Sequence, residues 1–162
     1  MLIGGINWGL FGLFKLDVVS FIPWSPVSKM IYIIIGLSAI YLSLKRDVYL
    51  PFLGETVYPC DQLVNKIPDD ATVAMTVRVP AGAKVVYWAS EHSKDLDVAE
   101  NPWKAYLNYS NSGVTTADAN GNAVLKVREP TAYRVPLKGK IEKHIHYRYC
   151  GSPGMLSEIH TV

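Results

Sequence analysis

The sequence predicts an α+β chain organised by segment. A transmembrane helical hairpin occupies residues 1–46, and an all-β antiparallel sandwich or jelly-roll-like domain occupies residues 47–162. Three observations carry this. Leu2 to Ile22 holds only two charges, Lys15 and Asp17, and Val27 to Leu44 holds only Lys29. The Pro23-Trp24-Ser25-Pro26 stretch breaks the chain between these apolar runs. Beyond residue 46 the chain becomes rich in Val, Tyr, Thr and Pro, in short alternating runs punctuated by turn residues. Four of the sixteen Lys and Arg and one of the fourteen acidic residues precede Asp47, so the second segment is nearly neutral.

Crossing a hydrocarbon core of roughly 30 Å takes about 20 apolar residues. The first run reaches that length if Lys15 and Asp17 lie near one end, and the second is just long enough. A buried helical pair of a soluble core is the competing reading, but a chain of 162 residues has little core to cover two such helices. The apolar run has neither a basic leader nor a small-residue cleavage site, which argues against a signal peptide. Gly5, Gly9 and Gly12 share one face of the first helix, and Gly36, Ala39 and Ser43 one face of the second. In lipid, helices associate through close backbone approach over small residues, so these six are the expected packing surface and Gly9→Leu should separate the pair. Trp8 and Trp24, with Lys45 and Arg46, are expected at the membrane interface, the two indoles placing the helices in the bilayer. Lys45 and Arg46 close the hairpin and, by the positive-inside rule, put the following domain on the cytosolic side.

In the second segment, Thr72 to Val79 and Lys84 to Ala89 flank the turn Pro80-Ala81-Gly82 and read as a hairpin. Trp103 to Tyr109, Ala123 to Arg128, Ala132 to Leu137 and Glu142 to Tyr149 read as further strands. Asn111-Ser112-Gly113 and Ala119-Asn120-Gly121-Asn122 are turn chemistry, since Asn and Gly accept positive φ. Glu91 to Glu100 is acidic and aperiodic, and is expected to be an exposed excursion.

Few residues point to chemistry. His144-Ile145-His146 puts two imidazoles on one strand face, a genuine metal-ligand spacing. No third ligand is demanded by spacing, although His92, His160 and Cys150 are candidates, so the expectation is a polar strand face with no metal and no cofactor. Cys60 and Cys150 are the only cysteines, and a bond between them would close a loop of about 90 residues; free thiols are the alternative in a reducing compartment. Asn108-Tyr109-Ser110 is a glycosylation sequon, meaningful only outside the cytosol. Glu91, Asp95, Asp97 and Glu100 read as a solvated acidic loop rather than a calcium site. From Lys126 to Arg148 seven Lys and Arg face two Glu; within that strip Lys138, Lys140, Lys143 and Arg148 are the candidates for binding an acidic partner. Nucleic acid is not expected, because the strip lacks an interleaved aromatic platform. With no nucleophile elbow and no phosphate-binding glycine loop, the chain is not expected to be an enzyme.

Gly4-Gly5-Ile6-Asn7-Trp8-Gly9-Leu10, then Leu16-Asp17-Val18-Val19, then Ile31-Tyr32 and Ile35-Gly36-Leu37, resemble a small two-helix membrane family of unknown function. Its Asp-Leu-Val step reads Asp-Val-Val here, and the resemblance implies only a membrane module. Fused to a β domain with Tyr87-Trp88-Ala89, His144-Ile145-His146-Tyr147-Arg148 and Gly154-Met155-Leu156, the whole resembles virion membrane or minor capsid proteins of large icosahedral DNA viruses. That resemblance implies a structural protein of the virion inner membrane, its β domain facing the capsid, resident in a host membrane during assembly. The implied partners are membrane lipid and capsid or other minor capsid proteins within a large assembly. Such viruses often carry thiol oxidases, which is compatible with a Cys60–Cys150 bond on the cytosolic side. The alternatives are a membrane-anchored module binding carbohydrate or protein through Trp88 and Trp103, and a metal enzyme built on His144 and His146.

Overall fold

The computed structural model describes residues 2–91, 102–135, 139–151 and 154–162, with Arg46, Pro102 and Trp103 described by their backbone. The chain divides into two compact units, Met1–Pro51 and Phe52–Val162, a few residues beyond the boundary expected from composition. The first is helical and the second is built from antiparallel strands in open sheets.

In the helical unit, α1 spans Leu2–Phe14, a 3-10 turn covers Val18–Phe21, α2 spans Ser25–Ser43 and a single turn, α3, covers Arg46–Tyr49. At 1.5 Å per residue α2 is about 29 Å long and α1 about 20 Å. Among the described residues, α2 is the one helix long and apolar enough to cross a bilayer. The first helix is thus shorter than the Leu2 to Ile22 run predicted. It stops where Lys15 takes a positive φ of 57°. Asp17 then caps the 3-10 turn by accepting from the Ser20 amide. Pro26 sits in the first turn of α2, where the missing amide costs nothing.

The packing surface also differs from the predicted one. Gly4 and Asn7 are the buried residues of α1. A methyl group on Gly4 would lie 2.5 Å from Ile35 Cγ2, whereas Gly5, Gly9, Gly12 and Gly36 have open space around them. On α2 the half-buried residues are Ser28, Ile31, Ile35, Ser38, Ala39 and Leu42, so Ala39 is on the covered stripe and Gly36 and Ser43 are exposed. Their three- and four-residue spacing is that of a helix seam. The predicted glycine face is rotated because a stripe of small residues indicates where helices can approach; the polar demand of Asn7 selects where they do.

In the β unit the strands are β1 (Thr56–Val57), β2 (Val73–Arg78), β3 (Lys84–Ala89), β4 (Ser112–Thr116), β5 (Asn122–Val127), β6 (Tyr133–Val135), β7 (Gly139–Ile141), β8 (Ile145–Tyr149), β9 (Met155–Leu156) and β10 (His160–Thr161). The largest sheet has the order β10-β8-β3-β4, and β2 pairs with β5, β6 with β7 and β1 with β9, all antiparallel. Val85, Tyr87, Ala89 and Ile145 of the large sheet share one core with Val77, Ala123, Leu125 and Val127 of the β2–β5 pair. Alternation along β3 and β5 places every second residue in this core.

The expected hairpin is not formed: β2 pairs with β5 over six residues, while β3 pairs with β4 and β8. Pro80-Ala81-Gly82 instead carries the chain from one layer to the other, with the Ala83 amide bonded to the Pro80 carbonyl at 3.1 Å. Turn chemistry predicted the reversal, but burial of both inner faces decided the pairing. Trp103 to Tyr109, predicted as a strand, overlaps the 3-10 turn Pro102–Tyr106, followed by positive φ at Leu107 and Tyr109. Ser112 and Gly113, predicted as turn residues, open β4 instead. Gly113 lies opposite Tyr87, and a methyl group there would meet the Lys66 carbonyl at 2.5 Å, so glycine is needed for close approach and not for a turn.

Two ties brace the β unit. Asn111 is fully buried; its amide donates to the carbonyls of Ser90 at 3.0 Å and Arg128 at 3.2 Å, and its oxygen accepts from the Arg128 amide at 2.8 Å. It therefore clamps the ends of β3 and β5 together. Cys60 and Cys150 form a disulfide across 90 positions of sequence, with Cα atoms 6.0 Å apart.

Replacing Asn111 with Ala strands three buried backbone groups and should lower the stability of the β unit by about 2–3 kcal/mol in denaturant unfolding. A Cys60→Ser, Cys150→Ser double variant should cost about 2–5 kcal/mol in the same assay. In the helical unit, Gly4→Leu should lower the melting temperature in detergent, and Gly9→Leu should leave it unchanged.

Candidate functional site

A gathering of chemically capable side chains in the β unit lies at one end of β3. Ser90, just past that strand, accepts from the Thr131 amide at 2.8 Å and donates to the Thr131 carbonyl at 2.7 Å. This fixes the segment leading into β6 and hence Tyr133. The next amide, Glu91, donates to the Ala105 carbonyl at 2.9 Å, which fixes the 3-10 turn and hence Tyr106. β8 pairs alongside β3 with His146 opposite Trp88, so both imidazoles of His144-Ile145-His146 arrive at the same place. Ile145 between them turns into the core, as period two requires.

Four polar atoms close a ring. His144 Nε2 is 3.1 Å from His146 Nε2, which is 2.9 Å from Tyr106 Oη. Tyr106 Oη is 3.1 Å from Tyr133 Oη, and Tyr133 Oη is 3.5 Å from His144 Nε2. The remaining ring nitrogens are held from outside: His144 Nδ1 lies 2.6 Å from the Glu142 carbonyl and His146 Nδ1 lies 2.9 Å from Thr161 Oγ1 on β10. The tyrosines are buried and the histidines half-buried, so the ring has a covered floor and an open rim. Burial pushes the phenols of Tyr106 and Tyr133 above the ordinary tyrosine range. Among the described residues no third His, Cys, Asp or Glu joins the pair. Cys150 is committed to its disulfide, and His160 is stacked on Tyr147 and Tyr149, with ring centroids at 5.1 Å and 5.5 Å. Sequence reasoning found the histidines and missed both tyrosines, which lie 11 and 40 positions away from their partners.

The other predicted residues divide. Arg148 is buried and donates to the carbonyls of Gly54 and Ser157, so it serves the fold and not a partner; desolvation lowers its pKa. Lys140 and Lys143 are exposed and paired with Glu142 and Glu129 at 2.7 Å and 2.5 Å, contacts weak enough at a surface to be exchanged for a partner's carboxylates. Glu91, predicted as part of a solvated loop, is instead paired with Arg128 and accepts from Ser110 Oγ at 2.7 Å. Lys138, His92, Asp95, Asp97, Glu100 and the side chains of Arg46 and Trp103 lie outside the described residues. Trp88 is half-buried with its ring 5.5 Å from that of His146. In the sequon, Asn108 Oδ1 accepts from the Ser110 amide at 3.1 Å.

A second constellation lies within the helical unit. Asn7 Nδ2 donates to Asp17 Oδ1 at 3.0 Å, while Asn7 Oδ1 accepts from the amides of Val18 and Val19 at 2.8 Å and 3.2 Å. Tyr32 donates its hydroxyl to the Asp17 carboxylate at 2.5 Å, reaching it from α2. A polar triad thus joins α1, the 3-10 turn and α2. Trp8 and Trp24 are both exposed, as are Lys45 and the apolar residues around them.

The raised phenols predict a pH dependence. In the fold Tyr106 and Tyr133 hold their protons above the ordinary value of 10.0, so their contribution to stability is complete below that pH and is lost as pH rises beyond it. Unfolding measured from pH 8 to 11 should show stability falling above pH 10, less steeply in Tyr106→Phe.

The family described as a domain of unknown function, DUF378, matches residues 1–45. This is the segment holding Asn7, Asp17 and Tyr32, and the match assigns no activity to the β unit. No curated protein and no solved structure matches the chain.

Proposed function

We propose that this chain is a structural membrane protein of a virion: a transmembrane helical hairpin that anchors a β-sandwich domain, which reaches from the viral inner membrane to the capsid shell. The observation that carries the membrane part is the surface of α2. A core helix of a soluble protein buries its apolar residues, yet α2 has no buried residue. Ile33, Ile34, Leu37 and Ile40 are each more than half exposed, Leu37 at 62%. Covering each such side chain is worth about 1.5–3 kcal/mol, and a lipid bilayer supplies that cover. On this reading α1 and the Val18–Phe21 turn together form the first arm, and the Asn7–Asp17–Tyr32 triad satisfies the polar groups of the turn at one membrane face.

The β unit supports the tether reading by its construction. Its C-terminal residues are tied in: β10 pairs with β8, and Val162 exchanges two backbone hydrogen bonds with Ile145. The disulfide links Cys60, near the membrane-proximal end of the sequence, to Cys150. A covalent tie between those regions suits a part that bears load between membrane and shell. With the β domain on the cytosolic face, where the shell assembles, the bond depends on an oxidant supplied there. The exposed Lys140 and Lys143 are the residues we assign to contact with an acidic shell partner.

The test is crosslinking mass spectrometry on the purified particle or membrane that holds the chain. Crosslinks from Lys140 or Lys143 to a shell protein are expected. Crosslinks confined to the chain itself would overturn the tether and favour an independent binding module.

A further inference from the structure

We infer that His144, His146, Tyr106 and Tyr133 form a binding site for a divalent transition-metal ion, with copper(II) the best match and zinc the next. The inference concerns the β unit alone and stands whether or not the chain is a tether.

The argument starts from the protons. The Glu142 carbonyl has none to give, so its 2.6 Å contact with His144 Nδ1 places a proton on that nitrogen. In its neutral form His144 therefore presents a bare lone pair from Nε2 towards the ring centre. His146 Nε2 has one in-plane direction, holding either a lone pair or one N–H. Yet it has two close neighbours, His144 Nε2 at 3.1 Å and Tyr106 Oη at 2.9 Å. If it donates to His144, the Tyr106 hydroxyl loses it as an acceptor. If it accepts from Tyr106, two imidazole lone pairs face each other. In the metal-free ring His146 can donate to the Tyr106 oxygen, Tyr106 to Tyr133 and Tyr133 to His144, so the four atoms hold one another in place before an ion arrives. A cation among the four atoms uses every lone pair at once.

The spacing suits an ion. Ligands at about 2.0–2.1 Å lie about 2.9 Å from their neighbours in the square-planar array that copper(II) favours and about 3.3 Å in the tetrahedral array that zinc favours. The four neighbouring separations here run from 2.9 to 3.5 Å. The outer contacts are those of ligating histidines, whose second nitrogen is held by a carbonyl or another oxygen; here the Glu142 carbonyl and Thr161 Oγ1 fill that part. Two imidazole nitrogens and two phenol oxygens, with no sulfur, suit copper(II) and zinc, and copper(II) binds more tightly to a given set of such donors; each phenol that ligates as phenolate releases its proton to solvent at the open rim. The half-exposed histidines leave an entry path, while Tyr106 and Tyr133 close the floor. Trp88, against the His146 ring, fixes that imidazole from the side.

The experiment uses the full chain in detergent, free of any affinity tag, loaded with copper(II) alone or zinc alone and desalted. Elemental analysis should find one equivalent of at least one of the two ions, and the loaded protein should melt at a higher temperature than the metal-free protein. A His144→Gln, His146→Gln double variant should weaken binding at least tenfold. Copper(II) should show nitrogen hyperfine structure in its electron paramagnetic resonance spectrum and a phenolate-to-copper absorption band. Because the double variant could lose its fold, Tyr133→Phe serves as the second variant: it keeps the ring packing and removes one oxygen, and should weaken or abolish that band. Less than one equivalent of both ions, or binding that survives unchanged in the double and the Tyr133→Phe variants, overturns the site.

Discussion

The side-chain amide of Asn111 is the constraint on which the β unit depends. An unpaired buried amide costs several kcal/mol, so a fully enclosed asparagine persists only where its partners are held in place. Here the partners are the backbone at the end of β3 and the backbone at the end of β5. Those strands belong to different sheets and meet through apolar side chains, which are non-directional. The amide supplies the direction that the core lacks. Beyond it, Ser90 and Glu91 carry the same registration outward to Thr131 and Ala105. The ring of two histidines and two tyrosines is therefore set by a short chain of hydrogen bonds that begins at Asn111.

On the proposed membrane reading, the helical unit follows a related logic with lipid as the solvent. Where lipid surrounds a helix, apolar side chains have little preference for one another, and polar contacts and close packing decide the pairing. Asn7 and Asp17 stand in a largely apolar run, and each finds its partner in the same small cluster, with Tyr32 reaching Asp17 from α2. Gly4 lies on the Asn7 side of α1, which is why it meets Ile35 while Gly5, Gly9 and Gly12 stay open. The matched segment, residues 1–45, contains the whole triad, so the motif residues make structural sense as a latch.

Two arginines of the β unit are used within the fold. Arg148 is buried against two carbonyls, and Arg128 binds Glu91 and the Asp69 carbonyl. What read as a basic strip is in part internal scaffolding, and among the described residues Lys126, Arg134, Lys140 and Lys143 are its exposed members. A run of like charges in sequence does not make a surface, because alternation along a strand sends neighbours to opposite faces.

Much of this was legible in the chain alone. The apolar runs, the proline break, the change of composition near residue 46 and the alternation of β3, β5 and β8 follow from local rules, since each depends on the period of one element. The histidine pair was legible for the same reason: residues two apart on a strand share a face. The tertiary structure decided what depends on distant residues. It determined that β2 pairs with β5, that Cys60 meets Cys150, that Gly113 serves packing, and that Tyr106 and Tyr133 complete the ring around His144 and His146. Each of these joins segments with no shared periodicity. Their meeting is selected by the burial of both sheets and the satisfaction of a few enclosed polar groups, and neither condition exists until the chain is folded.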